Sequence, residues 1–483
     1  MYDETVFTVV KEEFNRYPDN PFSPSQIYPE FEDFAYLINK IDKNNNVYEM
    51  VRDLFMNLEL DKENIGSRNW NPLKNIVREN DNVIIKPNLV LDRHPLGKDG
   101  IDSMITHASV IRPVIDYCLL ASNKKCNITI CDVPLQSAVW DSLIEKNGLM
   151  DLVVFYEKGG IKIRLLDLRY QISTLNESEF IIKREKMVRD PLGYAKVDLK
   201  QKSYIYDIKR DYKKLEITNY SSGSVAKHHN EKTNEYLISK TVLSADVFIN
   251  IPKLKTHKKA GITLTMKNII GINADKSWIA HHRRGVDEYP KFNFKDYFKW
   301  NFAKCLKLYM PRWVGSVVYA LYQKIFLKGK KLSEDIMTSN EGSGLMEGNW
   351  YGNDTVWRTI IDLNNIIFFA DKDGNMQNAQ QRKYIGIIDG LIGMEKEGPM
   401  HGYPKKCGVL IGGFHPVLID YLGAYVMGYD YNKIPTIREG MKEKYFGLTQ
   451  CKIDCIRVNS SIDWKNINLK FIPTKGWKGH IER

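Results

Sequence analysis

The chain has 483 residues with 70 basic and 59 acidic side chains, a net charge of +11, 43% hydrophobic residues and 11% aromatics. That composition excludes wholesale disorder and suits one large α/β domain with insertions, or two to three ordinary domains. The basic excess points to an anionic partner (nucleic acid, a membrane surface, or a phosphorylated or carboxylated small molecule) unless it reflects only a lysine-rich proteome.

In chain order, MYDETVFTVVKEEFNRYP has no basic region followed by a long apolar core, so a signal peptide is not expected. No uncharged apolar run reaches about 18 residues, so no transmembrane helix is expected either. NVIIKPNLV, from Asn82 to Val90, reads as a short strand between turn formers. In THASVIRPVIDYCLLASNKK the apolar positions Val110, Ile111, Val114, Ile115, Cys118 and Leu119 follow helical spacing, with Thr106 or Ser109 as the cap. CNITICDVP follows as a second strand. Strand, helix and strand within about fifty residues make a βαβ unit, and such units imply a parallel sheet.

Between Tyr156 and Lys240, β-branched, charged and tyrosine residues predict an antiparallel sheet added to the core. ADVFINIP, YIGIIDGLIG and KCGVLIGG read as further strands, DTVWRTIIDLNNIIFFA and HPVLIDYLGAYVMG as helices. From Lys291 to Lys331, ten basic residues and a single acid, Asp296, are interleaved with aromatics. Two readings stand for this insertion. It is an amphipathic element on an anionic membrane, with Trp300 and Trp313 at headgroup level, or a helical hairpin covering the core with solvated lysines. The expected fold class is α/β, mainly parallel, with flanking helices. Its expected units are a first α/β lobe (1–150), a β-rich insertion (151–240), a second α/β part (241–290 and 340–450), the basic aromatic insertion (291–331), and a C-terminal strand and tail (451–483). The seven cysteines form neither a disulfide framework nor a zinc pattern, Cys451 and Cys455 being one close pair without a second. A reducing, cytoplasmic compartment is expected, with membrane association through the insertion as a variant.

In parallel α/β sheets, ligands bind outside the carboxyl ends of the strands. Those ends read KPN (Lys86 to Asn88), CDVP (Asp132 to Pro134), NIPKLKTH (from Asn250) and IIDGLIGME (Asp389 to Glu395). Strands often end in turn residues, yet four such ends together favour a site. NIPKLKTHKKAGITLTMKNIIGI carries the strongest signal. Lys253, Lys255 and His257 alternate and so share one face of an extended chain, and Thr263, Thr265 and Lys267 repeat the pattern. Lysines so placed suit phosphates or carboxylates, and His257 suits proton exchange or metal binding. The competing reading is an exposed edge strand guarded by lysines. Of His281 and His282, adjacent in the chain, at most one is expected to serve a given site. His228 and His229 read as loop residues. EGSGLMEGNWYGNDTVW combines a glycine-rich loop with a helix start capped by Asn353 or Asp354, with Arg358 one turn on, a place that favours anions. Neither a P-loop nor a dinucleotide fingerprint is present.

VIIKPNLV, THASVIRPVID, ADVFINIPKLKTHKKAGITLTMKNIIGI, GNWYGNDTVWRTIIDLN and IIDGLIGMEKEGP resemble, in order, the bacterial and archaeal family called domain of unknown function 362, over about residues 80 to 440. The resemblance implies a fold and a site without a settled reaction. Some relatives carry a ferredoxin-like cysteine run; no CxxCxxCxxxC run occurs here, so an iron–sulfur cofactor is not carried over. Where relatives read ME-Gly-x-Gly-Pro, this chain reads MEKEGP, with Lys396 in the glycine place.

The leading expectation is an enzyme acting on an anionic small molecule. His257, Lys267 and Asp389 are its candidate catalytic residues. Lys86, Asn88, Lys253, Lys255, Asn268 and Arg358 are the candidate substrate-binding residues, and Asp132 and Glu395 the candidate ligands of a divalent metal. The alternative is a non-catalytic anion-binding or membrane-peripheral scaffold. Nucleic acid is the least expected partner, because no nucleic-acid-binding motif accompanies the charge.

Overall fold

The computed structural model describes residues 3–38, 41–221, 223–288, 294–326, 346–442, 444–448 and 451–483. Its main element is a ten-stranded sheet. The strands are β1 (Val6–Lys11), β2 (Asn82–Pro87), β3 (Asn127–Asp132), β4 (Arg164–Asp167), β5 (Val247–Ile251), β6 (Lys253–His257), β7 (Gly261–Thr263), β8 (Lys383–Glu395), β9 (Tyr403–Gly413) and β10 (Arg457–Ser460). They run in the order β10-β1-β9-β8-β5-β2-β3-β4, with β6 paired to β8 and β7 to β6. From β8 to β4 every pairing is parallel. β9 lies antiparallel to both its neighbours. The mainly parallel α/β class expected from the sequence is the one observed.

Side chains alternate across this sheet, and both faces are buried. Val83 and Ile85 of β2 and Val247, Ile249 and Ile251 of β5 join one core, with helices α1 (Asn46–Asn57), α3 (Ala108–Ala121) and α4 (Leu149–Lys158). Ile84 and Phe248 join the other, against α7 (Val356–Phe369) and α8 (Pro416–Met427). Burial on both faces explains why these strands read as continuous apolar runs. Other helices include α2 (Gly97–Met104) and the pair α5 (Phe294–Tyr309) and α6 (Arg312–Phe326). Among the described residues no single helix is long and apolar enough to cross a membrane; α2 and α3 pass that test only as a pair bent by 41°.

The chain order creates a switch point. From β2 it proceeds to β3 and β4 on one side, whereas β5 and β8 lie on the other side of β2. Connections leave in opposite directions there, which in open α/β sheets is where ligands bind, outside the carboxyl ends of the strands.

Three local expectations are corrected. His107, rather than Thr106 or Ser109, caps α3, its side chain accepting from the Ser109 amide. Thr106 is engaged elsewhere, its Oγ1 accepting from the Asn88 amide and donating to the Ile251 carbonyl. The helix α4 and strand β4 belong to the core, so the added β structure begins only with the hairpin Gln171–Leu175/Ile181–Lys186. The C-terminal segment is packed rather than trailing: Trp477 is buried and its indole N–H donates to the Lys258 carbonyl at 2.8 Å.

Candidate functional site

β2 delivers Lys86, Pro87 and Asn88 to one side of the switch point. β5 ends at Ile251, and Pro252, which has no N–H to give a ladder, breaks the strand before β6 resumes beside β8. The Pro252 carbonyl accepts the Asp389 amide at 2.8 Å, so the break is stitched to β8.

Two polar clusters form there. In the first, Lys86 Nζ donates to Asp132 Oδ1 at 2.7 Å and to Asn268 Oδ1 at 3.3 Å. Asn268 Nδ2 donates to Asn250 Oδ1 at 2.7 Å, and Asp132 Oδ2 accepts the Leu89 amide at 2.7 Å. Gly271 closes over the pair. A Cβ there would lie 2.2 Å from Asp132 Oδ1 and 2.6 Å from Lys86 Nζ, so this glycine serves close approach to an ion pair. In the second cluster Lys253 Nζ donates to Asp389 Oδ2 at 2.9 Å. Tyr17 OH donates to Asp389 Oδ1 at 3.0 Å, and the His107 amide to Oδ2 at 3.1 Å. Lys253 also donates to the Tyr17 hydroxyl, and the Tyr17 ring stacks on His107 with centroids 3.9 Å apart. Thr106 joins the two sides, bonding Asn88 and Ile251. Asn88 follows β2 and Asp132 ends β3, whereas Lys253 opens β6 and Asp389 lies midway along β8; the bonds above gather all four around the switch point.

A third group has no such compensation. Lys255 is fully buried and donates to one carbonyl, that of Met104, at 2.6 Å. Lys267, partly buried, has no hydrogen-bond or ion-pair partner among the described residues. Thr263 lies opposite Lys255 across the β6–β7 pair. Thr263 Oγ1 and His281 Nε2 are buried atoms without a partner among the described residues. Burial, with Lys276, Lys86 and Lys259 nearby, lowers the Lys267 ammonium to about 7. Burial likewise brings Lys259 to about 7 and Lys276 to about 8. Burial, then Lys267 and Lys253, pushes Lys255 well below the lysine range. His257 is buried, and its Nδ1 accepts the amides of Lys259 and Ala260 at 3.1 and 3.2 Å. That acceptance fixes the neutral tautomer with its proton on Nε2. Burial and then Lys267 push the His257 pKa down, so the ring presents an N–H donor. Buried and half-buried cations thus stand here beside unpartnered buried polar atoms, an arrangement that costs folding free energy as it stands.

The edge-strand alternative fails here, because β6 is paired on both sides and its residues are buried. The lysine face is an interior one. Arg358 is placed elsewhere: it bonds Asp354 and Asp207 in a surface cleft with Trp357, Arg438, Glu439 and Lys444. Glu395 is also apart, bonded to Lys405 Nζ at 2.9 Å and to the Ile472 amide at 3.1 Å. Asp132 is occupied by Lys86 and two amides. Among the described residues no three His, Cys, Asp or Glu side chains come together as metal ligands, so the donor set does not fit the divalent metal assigned to Asp132 and Glu395. Lys396 has φ 63°, the left-handed backbone that glycine takes at less cost. Glycines 342 and 344 of the expected loop lie outside the described residues.

Sequence reading missed Tyr17, Thr106, Asn250 and Asp420. Asp420 on α8 accepts the Thr265 and Met266 amides and the Thr265 hydroxyl, and so holds the short helix Thr265–Asn268 that carries Lys267. Thr106, Asn250 and Asp420 stood inside stretches read as a helix cap, a strand and a helix, whereas Tyr17 arrives from far upstream with no local pattern.

Residues 199–425 match the family described as Domain of unknown function (DUF362). The matched segment contains β5 to β9, Lys267 and most of α8, while Lys86, Asp132 and Tyr17 lie outside it. No curated protein matches the chain. A crystal structure of a protein from Thermotoga maritima aligns at 11% identity over 76% of this chain and 55% of that one, with a TM-score of 0.30. The chain therefore spans about half the length of that protein.

Proposed function

We propose that the protein is an enzyme acting on a small phosphorylated or carboxylated molecule bound at the β2/β5 switch point. The observation that carries this reading is the uncompensated group: Lys255 and Lys267 without carboxylates, beside the orphaned Thr263 Oγ1 and His281 Nε2. An anionic oxygen group would supply the missing acceptors and countercharge. Charge-assisted bonds of this kind contribute about 1.5–3 kcal/mol each. In this reading Lys255 and Lys267 grip the anion and His257 donates from Nε2. With pKa near 7, Lys267 is matched to proton transfer at neutral pH. Lys86–Asp132 and Lys253–Asp389 position the walls, because each lysine already has its carboxylate.

Thermal unfolding with inorganic phosphate, sugar phosphates and hydroxycarboxylates tests the proposal. A ligand at a hundredfold over its Kd should stabilise the protein by about 2.7 kcal/mol. Lys255→Met should retain only the general salting effect of such ions. If no anion stabilises the wild type beyond that variant, the anion site does not exist. Turnover of the best-binding compound then separates an enzyme from a binding protein.

A further inference from the structure

The insertion that follows the site makes a helical hairpin with two unlike faces. On α6, Gly315, Tyr319, Tyr322 and Gln323 are buried. Tyr319 meets Phe180 at 5.7 Å, and Gln323 Nε2 donates to the Ser178 carbonyl at 2.9 Å. This face anchors the hairpin on the protein. The opposite face carries Trp313, Val317, Leu321 and Ile325, which are 78%, 61%, 52% and 67% exposed. They recur every four residues and so form a continuous ridge about 18 Å long at 1.5 Å per residue. Tyr309 and Met310, at the turn before Arg312, extend it with further exposed surface. A ridge of this size is costly to leave in water, since burying one large side chain contributes about 1.5–3 kcal/mol.

Charge decides what covers it. Arg312 and Lys324 are exposed at either end of the ridge, no acid lies on α6, and residues 291–331 hold ten basic side chains against one acid. A second copy seated face to face would bring these cations together. An anionic lipid surface would pair with them while its acyl boundary received the ridge, with Trp313 and Tyr309 at headgroup depth. We infer that the α6 ridge docks this protein on an anionic bilayer surface, without spanning it. The inference is independent of the anion site.

The test uses the full chain with vesicles of phosphatidylcholine, alone or mixed with phosphatidylglycerol. Binding should be at least about tenfold stronger to the anionic vesicles and should fall with salt, since the attraction is screened over about 10 Å at 0.1 M. Trp313→Ser with Leu321→Ser should weaken it at least tenfold, and Arg312→Glu with Lys324→Glu should remove the lipid preference. Unchanged urea midpoints would show that these exposed substitutions leave the fold intact. The inference is overturned if anionic vesicles are not bound, or if the Ser variant binds like wild type. It is overturned equally if the ridge substitutions abolish self-association in sedimentation velocity while no vesicles bind, which would give the ridge to a second copy.

Discussion

The switch-point region and the α5–α6 hairpin are both lysine-rich in sequence, and the fold uses their lysines in opposite ways. At the switch point, Lys255 is withdrawn from water and Lys267 partly so, neither of them paired with a carboxylate. In the hairpin, Lys304 bonds Glu216 at 2.6 Å and Lys307 lies over the Tyr319 ring at 4.5 Å, while the apolar residues face outward. One region buries charge and the other exposes grease. Each pays in folding stability for what it presents. Net charge therefore locates neither; burial relative to partners does.

The comparison breaks most sharply at a buried pair that is compensated. Asp389→Ala should destabilise the protein by about 3–5 kcal/mol, read from urea unfolding, because it strands Lys253 and Tyr17 without their acceptor. A loss below about 1 kcal/mol would mean the pair is wet. Lys255→Met, one strand residue from that cluster, should act the other way. Intrinsic stability should hold or rise by roughly 1 kcal/mol, since an unpaired buried cation is removed, while anion affinity drops about tenfold or more.

The smallest effect is graded with pH. Lys259 and Lys267 fall from 10.5 to about 7 on folding, so charging them opposes the folded state. Their contribution to stability is fully present above the unfolded value of 10.5 and is lost as pH falls through about 7. An anion reverses this by favouring the charged lysines. Sulfate, whose own charge is constant here, should bind more tightly as pH falls from about 9 to 6, with proton uptake measurable by calorimetry in buffers of different ionisation enthalpy. Affinity independent of pH would place the titrating lysines away from the ligand.

Much of the fold was legible because it rests on period. The runs ending at Pro87, Asp132, Ile251 and Gly413 are apolar on both faces, and helices α3, α7 and α8 follow helical spacing. In the fold Lys86 pairs with Asp132 and Lys253 with Asp389, while Thr106 joins Asn88 to Ile251. What sequence could not give was compensation. Lys253 and Lys255 stand two residues apart on the same alternating face, yet Asp389 pairs with one and not the other. That distinction depends on the slip between β6 and β8, where Lys253 lies opposite Asp389 but Lys255 opposite Met394. Nor does spacing reveal Tyr17, whose bond to Asp389 spans 372 residues. Arg358 was misplaced for a related reason. A helix start is a plausible anion site in general, and only the fold shows Asp354 and Asp207 already holding its guanidinium.

Strand β8 passes two partners in turn, β5 along its first residues and β6 beyond Pro252, with β9 along most of its other edge. β6 in turn is closed by β7, so the backbone beneath Lys255 is laddered on both sides. In hydrogen-exchange terms, amides so placed open only with the most stable unit of the molecule. An anion bound at Lys255, as proposed, would meet a floor that is already ordered. Its association loses little chain entropy, and differences in affinity among anions will be written in charge and shape rather than in the cost of folding the site around them.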